Sequence, residues 1–503
     1  MPPSITVTIY STMRQPAIQC LPNEVLGIIL ELTENISAVS LVSRQFYQVA
    51  FPLVHRTLVL SHDTRVKAFV DRVSSEEDNS SLRISQALRC LIVSEKCYTG
   101  LFGDSLVLAQ FRDIIPQLVN LELLSWRTLQ QLNAISLLTD FQRYCTKLRS
   151  LGLKAIPRQL LADNTKIFGF RNLTQLAVEH QDDYDDDTFC LDPAPQLLLE
   201  AIRSSPLLCK LVLRLHGRAY RGPQETVNIN RFFQDLNTTL PHLRHLELWS
   251  GAKLEWNPIL HCSTLVPDPV RTFFMGSSNI ETLIIDWAPE SRINNPSLYL
   301  LRQMFPALRH FTGPEQICAI ILASDLRLQL ESLHSAHIIH SADSPDQNAY
   351  VNVVDVTTEL PQLRALIFSI NFDDEDLPPE PESLFPAMLM EYLRAAPILE
   401  SLEIGSYMTR AQILNPVSAT LKHANLRRLT IRLHYNANPM ARNKDETAVT
   451  LATQVAMNCP QLEQLTIRYN RPPSAVYQFE RDSQGRLKRI LMNGKEFHTI
   501  PSH

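Results

Sequence analysis

Few residues of this chain have types and spacings that would support catalysis or metal binding. Two His-x-x-His pairs, His242 with His245 and His337 with His340, come nearest to a metal-ligand pattern. No further ligands accompany either pair at zinc-site spacing, so we interpret them as surface or core histidines. The chain contains no Gly-x-Gly-x-x-Gly, P-loop, His-Glu-x-x-His or Gly-x-Ser-x-Gly motif. We therefore expect a protein that is not an enzyme and holds no metal or cofactor.

The most concentrated carboxylates lie in two acidic runs. These are Gln181–Asp187 (QDDYDDD) and Asp373–Glu382 (DDEDLPPEPE). Neither run has a convergent base or nucleophile, and the first lacks the turn glycine that an EF-hand calcium loop needs. Two interpretations stay open, namely solvated loops or an acidic lip that faces a basic partner.

Composition narrows the class of protein. The 503 residues are 45% hydrophobic and 20% charged, which excludes disorder as the main state. The net charge of -5 argues against nucleic acid as the partner. Nine cysteines without a Cys-x-x-Cys pair predict reduced thiols in the cytoplasm, the nucleus or both. No secretory signal and no stretch of 18 apolar residues is present, so we expect no membrane association.

A pattern of three apolar residues recurs through most of the chain: one apolar, two variable, one apolar, one variable, one apolar. The copies are about 31 residues apart on average, slightly longer than leucine-rich repeats of about 20–29 residues. In several copies a proline stands two residues before the first apolar residue, where it ends a preceding helix. Complete copies begin at Leu88, Leu118, Leu148, Leu173, Leu208, Leu243, Ile280, Leu363, Leu399, Leu426 and Leu462, partial copies at Leu308 and Leu330, and a doubtful copy at Leu487.

Each repeat is therefore predicted to contain a helix, a stop and a strand. The second and third apolar residues would point into the core, and the residues between and after them would point to the opposite, concave face. Stacking such units buries a core that no unit can bury alone. The predicted fold class is α/β, an irregular leucine-rich-repeat solenoid or horseshoe, whose concave face suits a folded macromolecular partner.

The first sixty residues follow a different pattern. Pro22 fits the first turn of a helix, and Val25, Ile28, Ile29 and Leu32 form one apolar face at helical spacing. A second apolar stripe contains Val39, Val42, Phe46 and Val49 and is expected to end at Phe51-Pro52. Two helices of about 12 residues cannot bury both of their faces, so the spare apolar face is a candidate docking surface.

These residues resemble an F-box. The resemblance rests on Leu-Pro-x-Glu at Leu21–Glu24, on Leu-Val-Ser-Arg at Leu41–Arg44, and on Phe46, where the family often has Trp. The following Pro52–Leu58 is similar to an ending frequent in fungal F-box proteins with leucine-rich repeats. The match covers about 40 residues, and the order of F-box first and repeats second strengthens it. The segment between the two helices is about two residues shorter than the family usually has.

The resemblance implies a substrate receptor of an SCF-type ubiquitin ligase. Such a receptor binds a Skp-family adaptor, and through it a cullin, and holds a protein substrate near transfer machinery that other subunits supply. Two alternatives stay open: the helices only cap the repeats, or the chain is a non-catalytic interaction scaffold outside an SCF complex. Carried onto this chain, the adaptor contacts are Leu21, Pro22, Val25, Ile28, Ile29, Val42, Ser43, Arg44 and Phe46.

The predicted organisation has four parts. Residues 1–17 are a loosely ordered or disordered N-terminus, 18–56 the F-box, 57–475 the repeats, and 476–503 a β-rich cap. Turn signals at Ser483–Gly485 and at Asn493-Gly494 predict hairpins in the cap.

The position after the third apolar residue is predicted to form a ladder along the concave face. Trp and Arg are the residue types most often found at interface hot spots. Arg432 and Arg468 would be adjacent like charges, which an anion or an acidic segment would stabilise. Ordinary solvated arginines are the alternative, since a shift of one residue would bury these positions. The substrate-binding candidates are Arg214, Trp249, Asp286, Arg432 and Arg468, with Glu179 on the same ladder.

Overall fold

The structure is a computed structural model with a mixed α/β fold. In the part of the chain that it describes, no helix is long and apolar enough to cross a membrane. No disulfide joins the five cysteines in that part. The described residues are 22–33, 36–76, 82–94, 105–127, 132–156, 169–180, 196–215, 229–249, 256–261, 268–285, 293, 296–340, 359–372, 389–406, 425–433, 445–469 and 474–499.

The chain divides into two compact units. The first comprises Met1–Leu160 and Thr165–Gln175, and the second comprises Leu161–Asn164 and Leu176–His503. In the first unit, strands β1 to β4 pair in parallel in chain order. Its elements are α1 (Asn23–Glu31), α2 (Ile36–Ser40), α3 (Arg44–Val54), β1 (Thr57–Leu60), α4 (Asp63–Ser74), α5 (Ile84–Ala87), β2 (Cys90–Val93), α6 (Ser105–Ile114), β3 (Leu123–Trp126), α7 (Leu132–Tyr144) and β4 (Ser150–Ile156).

The second unit continues the alternation of helices and strands, and a further helix covers 389–395. Of β5, all residues but the first belong to this unit. Its elements are β5 (Gln175–His180), α8 (Gln196–Arg203), β6 (Lys210–Leu215), α9 (Ile229–Leu236), β7 (His245–Trp249), α10 (Trp256–Leu260), α11 (Pro269–Gly276), β8 (Thr282–Ile285), α12 (Leu298–Met304), β9 (His310–Gly313), α13 (Glu315–Ala323), β10 (Ser332–His340), β11 (Ala365–Phe372), β12 (Ser401–Ser406), β13 (Arg428–Leu433), α14 (Asp445–Asn458), β14 (Gln464–Tyr469), β15 (Ala475–Arg481), β16 (Leu487–Met492) and β17 (Lys495–Thr499).

The strands from β6 to β14 pair in parallel, each with the next along the chain, and the register shifts once, between Ser335 and Ile338 of β10. The second apolar residue of each repeat is paired with its counterpart, as in Leu246 with Leu283 and Leu429 with Leu465. These leucines are buried. The partial copies at Leu308 and Leu330 belong to the same series, because Phe311 is paired with Leu333.

The third copy differs from the prediction. The strand pairing aligns Leu91 with Leu124 and Val93 with Trp126. The buried set is therefore Leu121, Leu124 and Trp126 rather than the set that begins at Leu118, and Leu123 lies on the opposite face of the strand. Leu118 is also buried, and its carbonyl accepts a hydrogen bond from the Leu121 amide at 3.0 Å, as the Cys145 carbonyl does from the Leu148 amide in the next copy.

The doubtful copy at Leu487 is not a repeat strand. It forms β16, which pairs antiparallel with β15 and β17, and β15 pairs antiparallel with β14. The hairpin signals are confirmed, because Gly485, Asn493 and Gly494 all have positive φ. In such turns the positive φ favours Gly and Asn over residues with bulkier side chains.

The N-terminal segment contains three helices where the sequence predicted two. The predicted second helix is broken at residues 41–43 into α2 and α3. Helix α3 also continues through Pro52 to Val54, where the sequence predicted an end at Phe51-Pro52. Pro52 lies in the last turn of α3, where it has no amide hydrogen to donate, and the helix ends two residues later at Val54.

Candidate functional site

Two described surfaces carry the residues that the sequence singled out, and the first is formed by the N-terminal helices. Leu26, Leu30, Phe46 and Ala50 form their small core. Helix α1 turns a second apolar stripe to solvent, and the turn between α2 and α3 exposes two more apolar side chains. We call the exposed set the N-terminal apolar surface; it consists of Val25, Ile28, Ile29, Leu32, Leu41 and Val42.

The exposure of this surface is large for apolar side chains. Ile28 is 62% exposed and Leu41 is 84% exposed. Folded proteins seldom leave large apolar patches in water unless a partner covers them. The surface is therefore suited to docking another protein.

The predicted adaptor contacts are not equivalent in the structure. Pro22, Val25, Ile28, Ile29, Val42 and Arg44 are exposed, and Leu21 lies outside the described residues. Phe46 is only 4% exposed and packs in the core, so it is not available as a contact. Ser43 is the N-cap of α3, where its Oγ accepts a hydrogen bond of 3.2 Å from the Phe46 amide.

Replacing Ser43 by alanine should destabilise the N-terminal helices by about 1 kcal/mol, because the first turn of α3 loses its cap. Urea denaturation followed by circular dichroism measures the effect. The matched control is Ser37→Ala, an exposed position in α2 that caps no helix, and it should change stability by less than about 0.5 kcal/mol. Equal losses for both variants would contradict the capping role.

The second surface lies in the second unit and centres on Glu247. Glu247 lies between the buried Leu246 and Leu248, so alternation along β7 directs it to the outward face of the sheet. It is nevertheless only 6% exposed. Arg214 on β6 and Trp249 on β7 cover it.

The contacts of the Glu247 carboxylate explain its burial. Its Oε1 accepts hydrogen bonds from Arg214 Nε at 2.8 Å, from Arg214 Nη2 and from Trp249 Nε1. The guanidinium of Arg214 lies 5.2 Å from the centre of the Trp249 ring, and its Nη1 lies 3.7 Å from Glu179 Oε2. We call Glu179, Arg214, Glu247 and Trp249 the Glu247 cluster.

Burial and hydrogen bonding act in opposite directions on this carboxyl. Burial alone would raise the pKa of Glu247, but interactions with His245, Arg214 and Trp249 outweigh it and lower that pKa to about 2. His245 Nε2 lies 3.5 Å from Glu247 Oε2. Glu247 is therefore a permanent anion at neutral pH, and it holds Arg214 and Trp249 in place.

The cluster confirms that Arg214 and Trp249 are neighbours, and strand pairing places them side by side. It also corrects the expectation of an exposed Trp249, which is half-buried because its indole nitrogen is used internally. Asp286 lies outside the described residues. Glu247 was not among the predicted residues, although a polar residue between the second and third apolar positions of a copy is a signal that identifies it.

The predicted pair of arginines is also confirmed. Arg432 and Arg468 are paired across β13 and β14, and both side chains are exposed. Arg432 donates a hydrogen bond to Glu403 on β12. Arg428, which the sequence analysis did not name, faces outward from β13 as well.

Among the residues whose side chains the structure describes, no group of three His, Cys, Asp or Glu is placed to hold a metal. His242 is exposed ahead of β7 and His245 contacts Glu247. His337 and His340 lie in β10, and their side chains are outside the part of the chain that the structure describes. Both acidic runs also lie outside the described residues.

No protein-family model matches the chain, and no curated protein matches it. The functional assignment consequently depends on the residues of the N-terminal apolar surface and of the outward face of the sheet.

Proposed function

We propose that this chain is the substrate-recognition subunit of an SCF-type ubiquitin ligase. In this proposal the N-terminal helices dock a Skp-family adaptor, which links them to a cullin. The helix–strand units form a leucine-rich-repeat solenoid that binds a protein substrate. The observation that carries the proposal is the N-terminal apolar surface, which lies where the resemblance to an F-box puts the adaptor contacts.

The energetics favour a partner on this surface. Burying an exposed Leu, Ile or Val side chain contributes about 1.5 to 3 kcal/mol. The exposed parts of the α1 stripe, of Leu41 and of Val42 would therefore contribute to binding, against the entropic cost of association. Arg44 is exposed beside Val42 and adds a polar contact at the edge.

The mechanism requires no catalytic group in this chain. A receptor raises the effective concentration of a substrate near the transfer machinery, and orientation supplies the rate enhancement. The repeat strands provide a row of outward-facing positions that differ from copy to copy, such as Ile367, Glu403 and Thr430 in register. A surface of this kind can be adapted to one protein substrate.

Adaptor binding tests the proposal. The wild-type chain and the variant Ile28→Asp/Val42→Asp are co-expressed with a Skp-family adaptor, and the complexes are quantified by size-exclusion chromatography and calorimetry. We expect a stoichiometric wild-type complex and at least about a hundredfold weaker binding by the variant, since two buried apolar contacts become unpaired charges. Both positions are exposed, so the variant should fold.

The matched control is Leu106→Asp on α6, which is 64% exposed against 62% for Ile28. It should bind the adaptor like the wild type. A folded wild-type chain that forms no complex would contradict the proposal and favour a repeat scaffold whose N-terminal helices are a cap. Equal loss of binding in the control would show that added charge, and not the docking surface, is responsible.

A further inference from the structure

We propose that the outward face of β13 and β14 binds an acidic segment of a protein partner through Arg428, Arg432 and Arg468. These three are the cationic row. The segment is recognised by its anionic oxygens, whether carboxylate or phosphate. The proposal deepens the proposed function because it names the chemistry of the substrate. It rests on the proposed function only in taking the bound partner to be a substrate.

The row is built by the repeat register. Leu429, Ile431, Leu465 and Ile467 are buried, so the residues that alternate with them face outward. Strand pairing aligns Arg428 with Gln464, Thr430 with Thr466 and Arg432 with Arg468. All three arginines are exposed, and Gln464 Nε2 donates to Thr466 Oγ1 at 2.8 Å in the centre of the row.

Positive charge exceeds negative charge here. The described outward positions of β12 to β14 carry three guanidinium groups and one carboxylate, Glu403, which accepts from Arg432. Ser401 and Gly405 are aligned with Arg428 and Arg432 and offer no countercharge. Among the described residues, the side chains of Arg428 and Arg468 form no hydrogen bond or ion pair. On β15, Glu480 is bound to Arg489.

Arg214 shows what a neutralised arginine looks like at the same repeat position. Two carboxylates, Glu247 and Glu179, lie within 4 Å of its guanidinium, and Trp249 covers it. Its charge is therefore matched within the chain. In the cationic row, Arg432 has one carboxylate, Glu403, and Arg428 and Arg468 have none among the described residues, so an anionic ligand would match charges that the described part of the chain leaves unmatched.

The spacing defines the ligand. Neighbouring strands lie about 4.8 Å apart, so Arg432 and Arg468 can hold one anionic group between two planar guanidinium forks. Like charges at paired positions disfavour each other, and an anion between them relieves that repulsion. Arg428 is four residues before Arg432, about 13 Å along the strand. An extended peptide with acidic residues at positions i and i+4 would place one of them beside Arg432 and Arg468 and the other beside Arg428.

Fluorescence anisotropy with the full chain tests the inference. The probes are one labelled peptide carrying Glu at positions i and i+4, the same peptide with phosphoserine at both, and the same peptide with Gln. We expect the first two to bind, with affinity falling as salt is raised, and the Gln peptide to bind at least about tenfold more weakly. Preference between Glu and phosphoserine distinguishes the two sources of the anion. Equal affinity for the Gln peptide would overturn the inference.

The decisive variant is Arg432→Gln/Arg468→Gln. Each arginine should contribute about tenfold to peptide affinity. The matched control is Arg364→Gln/Arg427→Gln, which removes the same net charge from arginines that are already paired with Glu400 and Glu463. It should keep affinity within about threefold. Equal loss in both double variants would overturn the inference, as would tighter binding of a single-stranded oligonucleotide of equal charge.

Two further readouts separate folding and adaptor binding from recognition. The variant Arg432→Glu/Arg468→Glu should reject the acidic peptide and bind a Lys peptide of the same spacing, which an unfolded protein would not do. Adaptor binding should be unchanged in all these variants. Adaptor binding without acidic-peptide binding would overturn this inference and leave the proposed function intact, whereas the reverse result would overturn the proposed function alone.

Discussion

Replacing Trp126 by alanine should lower the free energy of unfolding of the first unit by about 3 to 5 kcal/mol. Trp126 is fully buried, and its ring makes edge contacts with Phe111 at 6.2 Å and Phe141 at 6.3 Å. Removing the indole leaves a cavity lined by rings that cannot all close into it. Urea denaturation monitored by circular dichroism measures the loss.

The control is Leu123→Ala, in the same strand but on the outward face. It should cost less than about 1.5 kcal/mol, because the half-buried leucine leaves a smaller cavity. If Leu123→Ala proved more damaging than Trp126→Ala, the strand would have the register that begins at Leu118, and the pairing of Val93 with Trp126 would be wrong.

This register could not be settled from the sequence because two sets of residues fit the same template. Leu118, Leu121 and Leu123 satisfy the pattern, and so do Leu121, Leu124 and Trp126. The choice depends on which set meets the neighbouring strand, and that is a tertiary property. In copies with a single solution, such as Leu243, Leu246 and Leu248, the pattern predicted the buried residues correctly.

The N-terminal helices show a second limit of prediction from the sequence. Helical periodicity correctly identified the apolar residues, but periodicity does not say which apolar stripe is buried. Phe46 and Val42 belong to one predicted stripe, yet Phe46 is in the core and Val42 is exposed in the turn before α3. The break at residues 41–43 turns the two side chains in different directions, and only the packing of α1 against α3 decides the outcome.

The outward face was predictable in one place and not in another. The pairing of Arg432 with Arg468 follows from the repeat pattern, since equivalent positions of neighbouring copies lie side by side. The role of Glu247 does not follow, because its partner Arg214 comes from another strand and lies between Glu247 and Glu179. Strand register predicts which backbone positions are neighbours. A hydrogen-bond network depends in addition on the directions of the side chains.

The variant Glu247→Gln should lower the free energy of unfolding of the second unit by about 3 kcal/mol at pH 7. The pKa of Glu247 is lowered from 4.5 to about 2, so the charged form stabilises the folded state above the unfolded pKa. That contribution is lost as the pH falls through the folded value. Since glutamine resembles the protonated carboxyl, the difference between the two proteins should shrink to about half by pH 3. Urea denaturation across this pH range measures it.

Glu463→Gln is the matched control, because Glu463 is an exposed carboxylate 3.8 Å from Arg427. Exposed ion pairs contribute less than about 1 kcal/mol, so this variant should stay near the wild type at every pH. The near-ultraviolet circular dichroism, to which Trp249 contributes as one of four tryptophans, adds a second readout, which only the Glu247 variant should change. A Glu247→Gln protein with wild-type stability at pH 7 would mean that Arg214 and Trp249 hold their positions without the carboxylate. The Glu247 cluster would then contribute no more to stability than an exposed ion pair does.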